Sequence, residues 1–77
     1  MNSDYKILDL HGIKHKEVFG VVDKFIGKHL IDYTTEVHII TGHSKSMKKI
    51  VSEVLDDYEL YSQESILNPG KLIINLT

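Results

Sequence analysis

Leu8-Asp9-Leu10-His11-Gly12 closes a short apolar run and opens the next segment, and its reading decides how the chain folds. Side chains two apart on a strand share a face, so Leu8 and Leu10 bury on one side while Asp9 and His11 stand together on the other. Gly12 then lets the backbone turn away without steric cost. A strand that ends on an acid and an imidazole beside a glycine turn suits an active site, although such groups also serve merely to meet solvent or hold a turn.

Working outward, Lys6 to Leu10 reads as a strand and Lys14 to about Ile31 as a helix, with Val18, Val21, Val22, Phe25, Ile26 and Leu30 on one helical face. Gly20 and Gly27 each weaken that helix by roughly 1 kcal/mol relative to alanine, and their spacing places both on nearly one side. Asp32 to Thr35 is a polar turn. Glu36 to Thr41 forms a second strand ended by Gly42, and Ser46 to about Asp57 a second helix with Met47, Ile50, Val51, Val54 and Leu55 inward. A strand near Leu60 to Glu64, the turn Asn68-Pro69-Gly70 and a closing strand from Lys71 to Leu76 complete the order βαβαββ. This is an α/β fold, a small two-layer domain over residues 6–77 behind a tail over 1–5. Strands alternating with helices predict a mostly parallel sheet with right-handed crossovers, and the last strand has the option of returning antiparallel.

Composition narrows the function classes. The chain has 77 residues, no cysteine and a net charge of −2. Disulfides and thiolate metal sites are excluded. No apolar run approaches the ~20 residues needed to span a bilayer, and no signal-peptide pattern precedes Tyr5, so a soluble, cytoplasmic protein without a membrane partner is expected. The nine cations are all lysine. Without arginine there is no planar fork for bidentate recognition of guanine, and phosphate binding has to be local rather than a general basic field.

Gly12 and Gly42 both lie where a strand hands over to a helix, at the carboxyl edge of the sheet, where ligands of open α/β sheets bind. Asp9, His11, Thr41 and His43 should converge there, and two helix N-termini offer unpaired N–H groups to an anion. The second helix carries Lys45, Lys48 and Lys49 at its start and Glu53, Asp56 and Asp57 at its end, opposite to what the helix dipole favours. A bound phosphate would explain the lysines, as would a solvated face with compensating ion pairs. Lys14 and Lys16 at the start of the first helix add to the cationic side. His29 and His38 lie away from this edge and read as structural. Tyr33, Tyr58 and Tyr61 are scattered and form no stacking platform.

Leu8-Asp9-Leu10-His11-Gly12, Ile39-Ile40-Thr41-Gly42 and Asn68-Pro69-Gly70 together resemble the motifs of a Smr, or small MutS-related, domain in its short stand-alone form, across nearly the whole chain. The resemblance implies a sheet-and-two-helix fold similar to the C-terminal domain of a translation initiation factor. It also implies binding of structured or branched DNA or RNA, with endonuclease (nicking) activity. Asp9 and His11 match the acid and histidine of the family's first motif, Thr41 and Gly42 open its Thr/His-Gly-x-Gly loop, and Lys49 falls where a basic residue often follows. Ser44 stands where the second glycine is expected, where it is able to cap the second helix or donate a hydroxyl to phosphate.

For cleavage, the expected chemistry has His11 as general base or acid, Asp9 orienting it, His43 as a second acid/base partner, and Lys14, Lys16, Ser44, Lys45, Lys48 and Lys49 with backbone amides holding phosphate. On RNA the ribose 2′-hydroxyl is a candidate nucleophile. No cofactor is required by this scheme. A rival scheme places magnesium or manganese on Asp9 and His11, or zinc or nickel at an edge of His11, His15 and His43. The alternative function is a catalytically inactive module that binds nucleic acid or a ribosome surface. The expected state is a monomer or a weak dimer, the latter through an exposed edge at the apolar final strand.

Overall fold

The alternating apolar residues and two helical stripes fold in the order β1 (Tyr5–Asp9), α1 (His15–Ile31), β2 (Glu36–Ile40), α2 (Lys45–Asp57), β3 (Ser62–Glu64) and β4 (Lys71–Asn75), in a computed structural model that describes residues 5–77. Tyr5, expected in a tail over 1–5, begins β1, and residues 1–4 of that tail lie outside the described residues.

The sheet order is β1-β2-β4-β3. β1 runs parallel to β2 with Leu8 opposite Ile39, whereas β4 runs antiparallel to both its neighbours, with Ile39 opposite Leu72 and Glu64 opposite Leu72 on the other side. The expected mostly parallel sheet is thus corrected to a mixed one. The physical reason is the missing third crossover: β3 and β4 are joined by a tight turn, which forces a hairpin, and the hairpin enters the sheet through β4. The final strand is consequently interior, so it offers no edge for a dimer. The edges are β1 and β3.

Leu10, Val37, Ile39, Leu72 and Ile74 share a fully apolar core with Val18, Val22 and Ile26 of α1 and Met47, Val51, Val54 and Leu55 of α2, which places both helices on one face of the sheet. The opposite face carries Ile7, His38, Ile40 and Ile73 by strand alternation. On it His38 is buried, with Nε2 2.6 Å from Glu36 Oε2.

Both helices end the same way. The N–H of Thr34 donates to His29 O and that of Tyr33 to Leu30 O, while Leu60 and Glu59 repeat the pattern on Leu55 and Asp56. Tyr33 at φ 60° and Glu59 at φ 57° occupy the left-handed position usually given to glycine in this capping motif. The turn after α2 pushes the start of β3 from the expected Leu60 to Ser62. Gly27 lies beneath Tyr58, where a Cβ would sit 3.4 Å from the hydroxyl. That hydroxyl donates to Asp23 Oδ1 at 2.8 Å and so ties the end of α2 to the middle of α1. Accepting the phenolic proton, Asp23 raises the Tyr58 pKa, with burial acting in the same direction. A Cβ at Gly20 would meet nothing within 4 Å, so packing does not explain that glycine.

Among the described residues no helix is long and apolar enough to cross a membrane.

Three loops meet at the edge where β1 and β2 end and β4 begins, since Asp9 pairs with Ile40 and Ile40 with Lys71. The carbonyl of Gly70 accepts the N–H of Thr41 at 2.8 Å and of Gly42 at 3.0 Å. The two backbones come so close that a Cβ on Gly70 would lie 3.0 Å from Gly42 Cα. Gly70→Ala therefore has to displace backbone rather than a flexible side chain, and is expected to cost about 1–3 kcal/mol. Urea unfolding measures the loss, and amide chemical shifts should move most at Gly42 and His43.

His29 supplies a pH test. It is buried in the last turn of α1, its Nδ1 3.2 Å from Thr34 Oγ1 and its ring edge-on to Phe25. Burial, then the positive charge of Lys28, holds its pKa below the ordinary 6.5. The unfolded chain then binds the proton more readily, so His29 contributes full stability above about 6.5 and loses it as pH falls from there toward the lowered folded value. In urea titrations across this range the wild-type protein should weaken on acidification, and His29→Gln should lack that part of the slope.

Candidate functional site

The loop after β1 is shaped by its own acid. Leu10 N–H donates to Ile40 O at 3.0 Å, extending the ladder one residue past the strand and burying Leu10 completely. Asp9 Oδ1 then accepts the backbone N–H of His11 at 2.9 Å, closing a turn that Gly12 completes at φ 80°. Asp9 and His11 are adjacent as expected, but the contact runs from carboxylate to amide rather than to the imidazole. Asp9 positions the peptide from which the His11 ring hangs. Both residues are exposed.

The loop after β2 is held from behind. Thr41 is buried, and its hydroxyl donates to Gly42 O at 3.0 Å and to Gly70 O at 3.3 Å. Expected among the catalytic groups, Thr41 instead has its hydroxyl spent inside the protein, where it fastens the loop. Gly42, at φ 65°, sends the chain outward to the exposed His43. Ser44 caps α2, its Oγ accepting the Met47 N–H at 3.1 Å and lying 3.1 Å from Ser46 Oγ. The capping role uses an oxygen lone pair and leaves the hydroxyl proton to donate.

Both helix starts face this edge, because each helix follows a parallel strand through a short loop. α1 begins after Lys14 without any side-chain cap, with His15 and Lys16 exposed on its first turn. Its first N–H groups have no acceptor from a capping side chain. α2 has no acid in its first turn and no base in its last, so its charges oppose the helix dipole throughout. Lys45 and Lys49 are exposed one helical turn apart. Lys48 is engaged: its Nζ meets Glu64 Oε2 at 2.7 Å, with both side chains partly exposed, a pair worth up to about 1 kcal/mol. Of the expected phosphate contacts, Lys14, Lys16, Lys45 and Lys49 thus remain open, while Lys48 bridges α2 to the end of β3.

The sequence did not point to Gly70 or Glu64 as parts of this edge. Asn68-Pro69-Gly70 signalled a turn, with Asn68 Oδ1 accepting the Gly70 N–H at 3.0 Å, but its meeting with Gly42 is a long-range contact that no local pattern encodes.

The described donors at this edge do not build a three-ligand metal site. Among the described residues no group of three or more His, Cys, Asp or Glu is placed to hold a metal ion, so His11, His15 and His43 do not form a metal cluster. A hollow of about 500 Å³ lies at the opposite end of the sheet and includes Glu36, Glu59, Tyr61 and Asn75. Two carboxylates make it a poor receiver of phosphate.

Compared with known families, the chain matches the Smr domain over residues 8–66, a span that contains both Leu8-Asp9-Leu10-His11-Gly12 and Ile39-Ile40-Thr41-Gly42 and stops short of Asn68-Pro69-Gly70. No curated protein and no solved structure matches it. Since that match covers most of the chain, including the two loops that meet at the sheet edge, this protein belongs to the Smr domain family.

Proposed function

We propose that this chain is a nucleic-acid-binding domain that nicks structured or branched DNA or RNA at the edge formed by the loops 10–14 and 41–44 and braced by the turn 65–70, and that it acts in the cytoplasm. The observation that carries the reading is the convergence, at one end of a parallel strand pair, of two exposed histidines, two left-handed glycines and two helix N-termini flanked by open lysines. Helix N-termini and lysines receive a phosphodiester, and imidazoles move protons near neutral pH.

In this scheme one imidazole, that of His11, removes a proton from water or from a ribose 2′-hydroxyl. The resulting oxygen attacks phosphorus, the P–O bond to the leaving nucleotide breaks, and His43 returns a proton to the departing oxygen. Asp9 fixes the His11 backbone and places a negative charge near the ring that becomes an imidazolium. Lys14, Lys16, Lys45 and Lys49 with helix amides stabilise the charge that builds on the phosphoryl oxygens. Thr41 and Gly42 hold the loop in place, and Ser44 caps α2.

A second reading is a binding module for nucleic acid or a ribosome surface without cleavage. Ser44 favours it, because in place of a glycine it stiffens the loop and its oxygen is engaged as the cap of α2. Incubation with supercoiled plasmid and with structured RNA, with and without chelator, separates the two.

His11→Ala should abolish nicking and leave the fold and most nucleic-acid affinity intact. Asp9→Asn keeps an oxygen for the His11 amide while removing the charge, so cleavage should fall and stability should hold within about 0.5 kcal/mol. Undiminished cleavage by either variant would remove these residues from the mechanism.

Binding can be dissected by salt. Lys45→Gln and Lys49→Gln should each weaken binding to unrelated sequences and flatten the slope of log affinity against log salt by roughly 0.7–0.9. Lys48→Gln should change the slope less, because Glu64 already neutralises that ammonium. Titrations at several salt concentrations decide this, and equal slopes for all proteins would place the phosphate path elsewhere.

A further inference from the structure

Ile66 and Leu67 are the most exposed large apolar residues of the described chain, at 97% and 96%. Single apolar side chains in water are ordinary, but two adjacent ones standing clear of every neighbour at the tip of a hydrogen-bonded turn are not. The turn is braced: Ser65 N–H donates to Lys71 O, Asn68 N–H to Ser65 O and Lys71 N–H to Asn68 O. Its far end is Gly70, whose carbonyl receives the Thr41 and Gly42 amides. On the near side, Glu64 is held by Lys48 of α2. The apolar tip is therefore fastened on both flanks to the elements that carry the candidate site.

Resting on the function proposed above, we propose that Ile66 and Leu67 form an apolar wedge that enters an unstacked step of a branched or looped nucleic acid while the neighbouring loops hold its phosphates. Aliphatic side chains inserted between bases are a recurrent means of reading deformability without reading sequence. Insertion costs least where stacking is already broken, at a branch, a bulge or a mismatch. A chain with no arginine and no aromatic platform lacks the usual means of base recognition, and a wedge supplies selectivity for structure by shape alone. The same geometry explains why two side chains that contribute nothing to the core are aliphatic.

The test compares a continuous duplex with a three-way junction of matched sequence carrying 2-aminopurine beside the branch, using the full chain and Ile66→Ser/Leu67→Ser. The substituted side chains are exposed, so thermal unfolding should be unchanged. Wild-type protein should favour the junction and raise 2-aminopurine fluorescence on binding. The double variant should lose roughly tenfold affinity for the junction, lose the fluorescence rise, and bind duplex with unchanged affinity and salt slope. Leu67→Ile with Ile66→Leu should restore the preference. Binding of both nucleic acids by the variant with the junction preference intact would overturn the wedge and leave the proposed function standing, as would a tenfold loss on duplex as well. Failure of the wild-type protein to bind either nucleic acid would overturn both, and capture by phosphatidylglycerol vesicles in place of the junction would assign the tip to a lipid surface.

Discussion

One carbonyl, that of Gly70, receives two amides from the end of β2, and the arrangement of the candidate site follows from that contact. A strand that ended freely at Ile40 would leave Thr41 and Gly42 to wander, since the first residues past a strand have no ladder of their own. Here the β3–β4 hairpin supplies the missing acceptor, and the Thr41 hydroxyl shares its proton between that Gly70 carbonyl and the carbonyl of Gly42. A Cβ on Gly70 would sit only 3.0 Å from Gly42 Cα, so backbone packs on backbone. The clamp fixes the direction in which Gly42 releases the chain, and with it the position of His43 and the start of α2.

Electrostatics complete what the clamp begins. The chain as a whole is slightly acidic, yet the exposed Lys14, Lys16, Lys45 and Lys49 lie at the helix starts beside the clamp, and the acids of α2 lie at its far end. In isolation that arrangement is unfavourable, since cations at a helix N-terminus and anions at its C-terminus each cost a few tenths of a kcal/mol or more. The Lys48–Glu64 pair offsets only one of these charges. Lys45 and Lys49 keep theirs, which concentrates a positive local field on a protein that would otherwise repel polyanions.

Much of this was legible in the residues themselves. The apolar stripes Val18-Val22-Ile26 and Met47-Val51-Val54 set both helices to within a residue or so, because burial on one face leaves a period that no other element shares. Gly12 and Gly42 announced their turns because only a residue without a side chain takes a left-handed conformation cheaply. Less was visible where the cause is tertiary. Tyr33 and Glu59 end their helices in a conformation that glycine usually marks, so the chain carried no signal for either cap. The place of β4 inside the sheet depends on hairpin closure and strand competition rather than on its own apolar pattern, which would equally suit an edge. Lys48 and Glu64 pair across sixteen residues, and Thr41 turns its hydroxyl inward for a carbonyl that arrives from the end of the chain. The adjacency of Asp9 and His11 was readable, but its form, a carboxylate holding an amide, follows from β1 ending at Asp9.

The central claim is that nucleic acid engages the clamped loop edge and not the open face of the sheet, where Ile7, Ile40 and Ile73 surround the His38–Glu36 pair. Backbone amide chemical shifts followed during titration with a short branched nucleic acid test it most directly. Changes should concentrate in residues 10–16, 41–46 and 65–70, while the amides of Ile7, His38, Ile73 and Asn75 stay near their free positions. Changes centred on those four residues, with the loops unmoved, would contradict the account.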